Sequence, residues 1–257
     1  MNILIANDDG IESEGLRVLV DALRDEYDVY VAAPLSQRSA FSHSVTYFYK
    51  ENRAEKREIA GTKGAYAIDG TPADCTYYGI NGLFGVKMDL VVSGINFGRN
   101  LASDVIYSGT VAAAGEAMIH HIPGIAVSLC SYTGGDFKPA AEAVKQIIPF
   151  YMNHPDRKNF ILNINVPALS AENIRGIRVS DLHDHSDYSR PVEKKEKDGV
   201  LYLSIEDDMT KDPPSSRKRI TDVEAVEAGY IAVTPLYYDL CARKIIDTLE
   251  VLETETE

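Results

Sequence analysis

Apolar and polar positions along this chain fall into segments with the two periods that are typical of strands and amphipathic helices. Short continuous apolar runs, such as 3–6, indicate buried strands, and apolar residues spaced as in 14–23 indicate one face of a helix. Strands are predicted at 3–6, 28–33, 45–49, 65–68, 89–93, 124–129, 160–166 and 230–234. Helices are predicted at 14–23, from 72 onward, and at 109–119, 140–151, 222–228 and 239–252. This alternation predicts an α/β fold with a largely parallel sheet and helices on both faces.

The pattern changes between residues 183 and 219, where charged and polar residues dominate and apolar runs such as 200–205 are brief. A segment of this kind buries little surface by itself. We therefore expect an extended hairpin or arm that packs on the domain or on another subunit. The predicted organisation is a core (1–182), an arm (183–219) used in oligomerisation, and a C-terminal segment (220–257) with a short helix, a strand and a closing helix.

Composition narrows the classes of function. The chain has 257 residues and a formal net charge of -13, which disfavours a nucleic acid polymer as partner because phosphate backbones are bound mainly by clustered Lys and Arg. No apolar stretch approaches the roughly 18 residues of a membrane span, and the start lacks the features of a signal peptide. Three separated cysteines without CxxC spacing suit a reducing compartment. We expect a cytoplasmic protein without a membrane partner.

Two adjacent carboxylates follow the first predicted strand, in the sequence Asn7-Asp8-Asp9-Gly10. In open α/β sheets, ligands bind at the carboxyl ends of the strands. Asp8 and Asp9 would repel each other there, and one pKa would rise unless a cation intervened, so the pair suits a hard divalent metal. The alternative is an Asx turn that caps the next helix, since Asp-Gly is common in turns.

Three further polar segments would reach the same edge of a parallel sheet. The loop 36–39 has hydroxyls that could ligate a cation, and its Arg38 could meet an anion. Asn96 offers an amide oxygen to a metal, and 107–110 begins a helix whose exposed N–H groups suit a phosphate. Each segment also has a plainer explanation as a loop hydroxyl, a turn residue or a helix cap. Oxygen ligands without His or Cys clusters favour magnesium, manganese or calcium.

Several long motifs in a fixed order resemble one family. They are Asn7-Asp8-Asp9-Gly10, Arg38-Ser39, Gly70-Thr71-Pro72-Ala73-Asp74-Cys75, Val92-Ser93-Gly94-Ile95-Asn96, Tyr107-Ser108-Gly109-Thr110-Val111 and Ile164-Asn165-Val166-Pro167. With late matches at 221–222, 227–230 and 234–236, the likeness covers nearly the whole chain. On these residues the chain resembles the SurE family of stationary-phase survival proteins.

The resemblance implies a Rossmann-like core and a metal-dependent phosphomonoesterase. The expected enzyme is a 5'-nucleotidase acting on nucleoside 5'-monophosphates, often on 3'-nucleotides, and in some members on short polyphosphate. The resemblance also implies a C-terminal arm exchanged within a homodimer or homotetramer. Carried over by position, the ligands of one divalent ion per subunit, magnesium or manganese, would be Asp8, Asp9, Ser39 and Asn96. The phosphate would be bound by Asn96, Ser108, Gly109 and Thr110.

Asp8 and Asp9 are the expected catalytic residues. Beside a cation that neutralises charge on the phosphoryl group, one of these acids would accept the proton of an attacking water. Direct attack by a carboxylate, giving an aspartyl-phosphate, stays open from sequence. His43 is either a proton donor to the leaving alcohol or an ordinary surface histidine. The rival function is a non-enzymatic magnesium-binding phosphoacceptor or nucleotide-binding module.

Overall fold

The structure, a computed structural model, describes residues 1–184, 192–205, 215–238 and 240–252. The strands are β1 (Asn2–Ala6), β2 (Asp28–Pro34), β3 (Ala54–Arg57), β4 (Gly64–Ile68), β5 (Leu90–Phe97), β6 (Gly124–Cys130), β7 (Ile161–Pro167), β8 (Ile177–Val179), β9 (Val192–Lys197), β10 (Val200–Ile205) and β11 (Ile231–Leu236). The α-helices are α1 (Glu14–Leu23), α2 (Pro72–Ile80), α3 (Asp104–Tyr107), α4 (Gly109–Ile119), α5 (Lys138–Asn153) and α6 (Asp222–Glu227). Two 3-10 helices cover Ala171–Asn173 and Arg243–Leu252.

Nine of the described strands form one sheet in the order β3-β4-β2-β1-β5-β6-β7-β11-β8. The six strands from β4 to β7 in this order run parallel, and β3 and β11 pair antiparallel to their neighbours β4 and β7. The parallel strands follow the doubly wound order of a Rossmann fold, whose switch point lies between β1 and β5. A separate hairpin is formed by β9 and β10. The predicted fold class is confirmed.

Helices cover both faces of the sheet because successive side chains of a buried strand point to opposite sides. On β1, Ile3 and Ile5 belong to the large core that includes the buried faces of α1 and α5. Leu4, between them, packs on the other side with Cys75 of α2 and Ala117 of α4. The continuous apolar run at the start of the chain is therefore a strand buried on both faces. None of the helices in the described ranges has the length and apolar character to cross a membrane.

The strand predicted at 45–49 is wrong, because this segment forms turns. Its backbone finds a side-chain partner in place of a neighbouring strand. The buried carboxylate of Asp74, on α2, accepts bonds from Thr46 N at 2.8 Å and from Tyr47 N at 3.4 Å. The edge strand forms instead at β3, where Ala54 is followed by three charged residues along a partly exposed edge.

Strand β5 also differs from the prediction, since it continues past Gly94 to Phe97 with a register shift between Ser93 and Asn96. Gly94 has φ of 138°, and a Cβ there would lie 2.3 Å from the carbonyl oxygen of Val127. The glycine therefore permits a close approach inside the strand and does not end it. The segment between the predicted strand 89–93 and the predicted helix 109–119 is further shortened by α3.

The C-terminal segment departs from the predicted closing α-helix at 239–252. Position 239 lies outside the described residues, and Arg243–Leu252 is an exposed 3-10 helix. An exposed helix lacks the packing from which most helical stability in proteins comes. The predicted arm, 183–219, contains the β9–β10 hairpin, and its Pro213-Pro214 pair lies outside the described residues. The proposed domain boundaries stay predictions.

Asp222, at the start of α6, ties the C-terminal segment to the core. Its buried carboxylate accepts backbone bonds from Ala102 at 2.9 Å and from His183 at 2.9 Å, and a third from Val223 at 2.9 Å. Ala102 is in the left-handed region, with φ of 47°, so its loop is held by contacts and not by backbone preference. Asp222 therefore holds the loop that follows β5.

We predict that Asp222→Ala lowers the free energy of unfolding by about 3 kcal/mol or more. The substitution leaves three buried N–H groups without an acceptor, at about 1–3 kcal/mol each. Urea denaturation followed by circular dichroism measures the change. Glu227→Ala, an exposed position in the same helix, is the control and should stay within about 0.5 kcal/mol of the wild type. Equal stabilities for the two variants would contradict this role of Asp222.

Candidate active site

The acid pair lies at the switch point of the sheet. Asp8 and Asp9 follow β1, and Asn96 lies near the end of the adjacent parallel strand β5. The backbone N–H of Phe97 donates to the carboxylate of Asp9 at 2.9 Å. This bond sets Asp9 beside the residue that follows Asn96, so the first and third predicted segments meet as parallel topology requires.

Asp8 is buried and contacts the beginning of α4. The hydroxyl of Thr110 donates to its carboxylate at 2.6 Å. Gly109 packs so closely that a Cβ at this position would lie 2.8 Å from the Cβ of Asp8 and 2.9 Å from Pro72. Only a glycine fits here without displacing the carboxylate. The helix start and the acid pair therefore form one site.

The Asx turn considered from sequence is formed by Asn7 and not by the two acids. Its amide nitrogen donates to the carbonyl of Gly10 at 2.9 Å and to the hydroxyl of Ser13 at 2.7 Å, while its oxygen accepts from Gly10 N at 3.2 Å. Ser13 in turn caps α1. Since Asn7 and Ser13 supply the turn and cap contacts, the carboxylates of Asp8 and Asp9 stay available for chemistry.

The loop that carries Arg38 and Ser39 is joined to the acid pair through its backbone. Arg38 N donates to the carbonyl oxygen of Asp8 at 2.7 Å. The guanidinium of Arg38 lies 3.5 Å from the carboxylate of Asp69 and 5.6 Å from the ring centre of Phe41. The hydroxyl of Ser39 accepts from the side chain of Gln37 at 2.9 Å. Ser39 is thus one residue from a direct contact with Asp8, but its hydroxyl bonds within its own loop.

Ser108 and Asn96 each use one side-chain atom locally. The hydroxyl of Ser108 accepts from Val111 N at 3.0 Å and is the N-cap of α4, which matches the plainer explanation of this residue. The amide nitrogen of Asn96 donates to the carbonyl of Gly98 at 2.9 Å. This bond orients the amide and leaves its oxygen as the atom that can face a cation.

A buried amide cluster behind Asn96 was missed by the sequence analysis. Asn100 N donates to Asn165 at 2.9 Å, its amide nitrogen donates to Ser128 at 2.8 Å, and its carbonyl accepts from Asn163 at 2.8 Å. The signal was present in the sequence, since β7 carries two asparagines in a strand that is otherwise apolar. These bonds fix the loop between β5 and α3.

Burial dominates the electrostatics of the acid pair. It raises the pKa of Asp8 from 3.8 to about 6; the Thr110 hydrogen bond lowers this pKa, and the neighbouring charge of Asp9 raises it. Burial also raises the pKa of Asp9, against the hydrogen bond from Phe97. Charged carboxylates are therefore costly here without a cation.

The donor set fits a hard cation bound by few protein ligands. In the described ranges, no three His, Cys, Asp or Glu side chains converge on one point. The chain therefore offers two carboxylates whose charged forms are disfavoured by burial. The amide oxygen of Asn96 and the hydroxyl of Ser39 are the further donors nearby. Magnesium and manganese suit such a set, because Mg²⁺ is usually held by one or two carboxylates and completed by water and substrate phosphate oxygens.

We predict that Asp8→Asn stabilises the metal-free protein at pH 7.5. A carboxylate whose pKa is raised to about 6 costs about 3 kcal/mol when it is charged, and an amide of the same shape avoids this cost. Thermal unfolding in EDTA should show a Tm higher by roughly 5 °C or more.

The pH dependence of this difference has a definite sign. Because the folded-state pKa of Asp8 lies above the unfolded value of 3.8, the cost in the wild type builds up as the pH rises from 3.8 to about 6. The advantage of the Asn variant should therefore shrink as the pH falls from about 6 towards 4. A lower Tm for Asp8→Asn at pH 7.5 would contradict the cost assigned to the charged Asp8 carboxylate.

Comparison with known proteins agrees with this arrangement. The family model described as survival protein SurE matches residues 3–188. A curated relative from Gloeobacter violaceus, named 5'-nucleotidase SurE, is 43% identical over 93% of this chain and 91% of its own length. A relative from Proteus mirabilis, named 5'/3'-nucleotidase SurE, is 38% identical over 97% of this chain and 95% of its own length.

A solved structure extends the likeness to three dimensions. The crystal structure of the SurE protein from Aquifex aeolicus matches with a TM-score of 0.82 and 34% sequence identity, over 99% of this chain and 100% of that one. Motifs, fold and comparisons therefore agree, and the resemblance seen in the sequence is confirmed. The chain belongs to the SurE family.

Proposed function

We propose that this protein is a divalent-metal-dependent 5'-nucleotidase that hydrolyses nucleoside 5'-monophosphates to nucleoside and phosphate. The observation that carries the proposal is the contact between the acid pair and the beginning of α4, through the bond of Thr110 to Asp8 at 2.6 Å. The names of the curated relatives support the reaction, and one of those names includes 3'-nucleotides. Nucleoside 3'-monophosphates and short polyphosphate are the proposed further substrates.

The cation is proposed to lie between Asp8, Asp9, Ser39 and Asn96. When bound there, magnesium or manganese would supply charge neutralisation on a phosphoryl oxygen and orientation of a water. One ion per subunit is proposed, since the two carboxylates form a single pair. The raised pKa of Asp8, about 6, supports this assignment because a bound cation would offset the cost of the two charges.

The phosphate is proposed to bind at the first turn of α4. The first backbone N–H groups of a helix lack partners within the helix and attract anions. Gly109 allows close approach, since it carries no side chain at the point where α4 meets Asp8. Ser108 contributes as the cap that shapes this turn, and Thr110 contributes by orienting Asp8.

The two acids hold different positions relative to the phosphate. Asp8 is fixed by Thr110, and Asp9 by the N–H of Phe97. One of them accepts the proton of the attacking water as the new bond to phosphorus forms. The bond from phosphorus to the nucleoside oxygen breaks, and that oxygen takes up a proton from water. Attack by a carboxylate itself is the alternative, and it would leave a trapped aspartyl-phosphate in an acid quench.

We predict that Asp9→Asn abolishes manganese-dependent phosphate release while it leaves the fold intact. The amide keeps the shape and can still accept from Phe97 N, but it lacks the charge that holds the cation and accepts a proton. The assay measures phosphate from AMP and from p-nitrophenyl phosphate, with and without manganese.

The matched control is Glu12→Gln, an exposed carboxylate close to the pair in sequence whose partner is Arg17. It should keep wild-type turnover. EDTA should remove the activity of the wild type, and manganese should restore it. Wild-type turnover in Asp9→Asn would remove this carboxylate from the mechanism, and turnover unaffected by EDTA would remove the metal.

A homodimer or homotetramer formed through the arm is also proposed. The β9–β10 hairpin leaves Leu201, Tyr202 and Leu203 more than half exposed, at 54%, 56% and 64%. Consecutive exposed apolar residues are unusual on a monomer and mark contact surfaces. Light scattering on the full chain should give a dimer or tetramer mass, and replacing these three residues by Ser should lower it. A monomeric wild type would contradict the proposal.

The activity is proposed for the cytoplasm. Cys75, Cys130 and Cys241 lie far apart in the sequence and show no CxxC spacing. Separated cysteines of this kind suit a reducing compartment.

A further inference from the structure

Glu116, on α4, is a buried carboxylate with both oxygens bound by histidines. One oxygen lies 2.7 Å from Nε2 of His43, and the other lies 3.1 Å from Nε2 of His120. Only 6% of the Glu116 side chain is exposed. A carboxylate buried to this extent is tolerated when it is paired and hydrogen-bonded. Each imidazole therefore satisfies one oxygen of Glu116.

The two histidines come from different parts of the chain. His120 is the residue that ends α4 itself, four positions beyond Glu116. His43 belongs to the loop 36–44, which also carries Ser39. The bond between His43 and Glu116 thus joins the Ser39 loop to the helix whose first turn contacts Asp8. Glu116 lies two turns further along that helix, about 10 Å from its first residue at about 1.5 Å per residue.

The loop needs such anchors because its backbone is strained. Ala40 has φ of 59° and Ser42 has φ of 53°, in the left-handed region that side chains other than glycine rarely adopt. Each residue of this kind costs about 1–3 kcal/mol unless its surroundings impose it. Ser42 is held by bonds to the carbonyls of Tyr107 at 2.9 Å and Ile106 at 2.7 Å. Ser39 lies between these anchors and the bond from Arg38 to Asp8.

Aromatic rings pack against the two histidines that bind Glu116. The ring of Tyr238 meets His43 edge-on at 5.4 Å between ring centres, and its hydroxyl donates to the carbonyl of Val111 on α4 at 3.0 Å. Tyr77 covers His120 at 5.4 Å between ring centres. In a shielded environment a charge-assisted hydrogen bond is stronger than in water. The bond between His43 and Glu116 therefore suits a fixed structural link.

We propose that Glu116 is a positioning residue that acts through His43 to hold the loop 36–44 so that Ser39 faces Asp8. This inference rests on the proposed function, because it assigns a purpose to the position of Ser39 at the cation site. It gives His43 a role different from a proton donor to the leaving alcohol. The ring nitrogen Nε2 of His43 is engaged by Glu116, two turns away from the first turn of α4.

The experiment compares His43→Leu with His120→Leu, since each variant removes one histidine from the same carboxylate. Hydrogen exchange read by mass spectrometry measures the protection of 36–44, and titration of the metal-stripped protein with Mn²⁺, without substrate, measures affinity. His43→Leu should raise exchange in 36–44 and weaken Mn²⁺ binding about 10-fold, the low end of outer-shell effects. His120→Leu should leave both quantities within about twofold of the wild type. His43→Gln, whose amide nitrogen can replace Nε2, should restore both.

The measurements test whether Glu116 positions the loop through His43. Equal effects of the two Leu variants, no effect of His43→Leu, or no rescue by His43→Gln would each overturn it. If His43→Leu does not fold, His43→Asn replaces it, because its side chain is polar but too short to reach Glu116. A wild type that binds no Mn²⁺ would instead overturn the proposed cation site, and the role of Ser39 with it. If the wild type binds Mn²⁺ and His43→Leu changes neither exchange nor affinity, only the positioning role is overturned.

Discussion

Two carboxylates held side by side at the carboxyl edge of the sheet are the constraint on which this site depends. Burial raises the pKa values of both Asp8 and Asp9, and their carboxylates are bound by a hydroxyl and by a backbone N–H, which are uncharged donors. Hydrogen bonds from Thr110 and from the backbone of Phe97 offset part of the cost. The remaining cost lowers the stability of the fold, and the packing of the core around the site offsets it. The site is thus stable only because the sheet around it is.

That sheet supplies the geometry without any feature specific to catalysis. The order of the parallel strands sets β1 beside β5, and the register pairs Ala6 with Ser93. The ends of these two strands must then meet at one edge, where the acid pair follows β1 and Asn96 lies near the end of β5. The amide cluster around Asn100 and the carboxylate of Asp222 fix the loop after Asn96 from behind. Positioning of the site is therefore distributed over strands and loops far apart in sequence.

Local sequence patterns predicted much of the fold and of the site. Helices α1 and α4 have the predicted bounds because their caps, Ser13 and Ser108, are encoded next to them. The place of the acid pair followed from the apolar run before it. Features that depend on residues far apart in the sequence could not be predicted in this way. The turn at 45–49 is stabilised by Asp74, and Asn100 bonds to Asn165, so alternation and turn propensity alone could not show either contact.

The small residues of α4 connect these observations, because they let one helix contact both Asp8 and the loop that carries His43. A Cβ at Gly115 would lie 2.0 Å from the ring of Tyr238, and one at Gly124 of β6 would lie 2.3 Å from the carbonyl of Ala114. Helix α4 is therefore pressed against the sheet on one side and against Tyr238 on another. In its first turn, Thr110 donates to Asp8, and two turns later Glu116 is hydrogen-bonded to His43. A larger residue at Gly109 or Gly115 would separate the acid pair or the aromatic cover from the helix, which is why a run of glycine and alanine serves chemistry here.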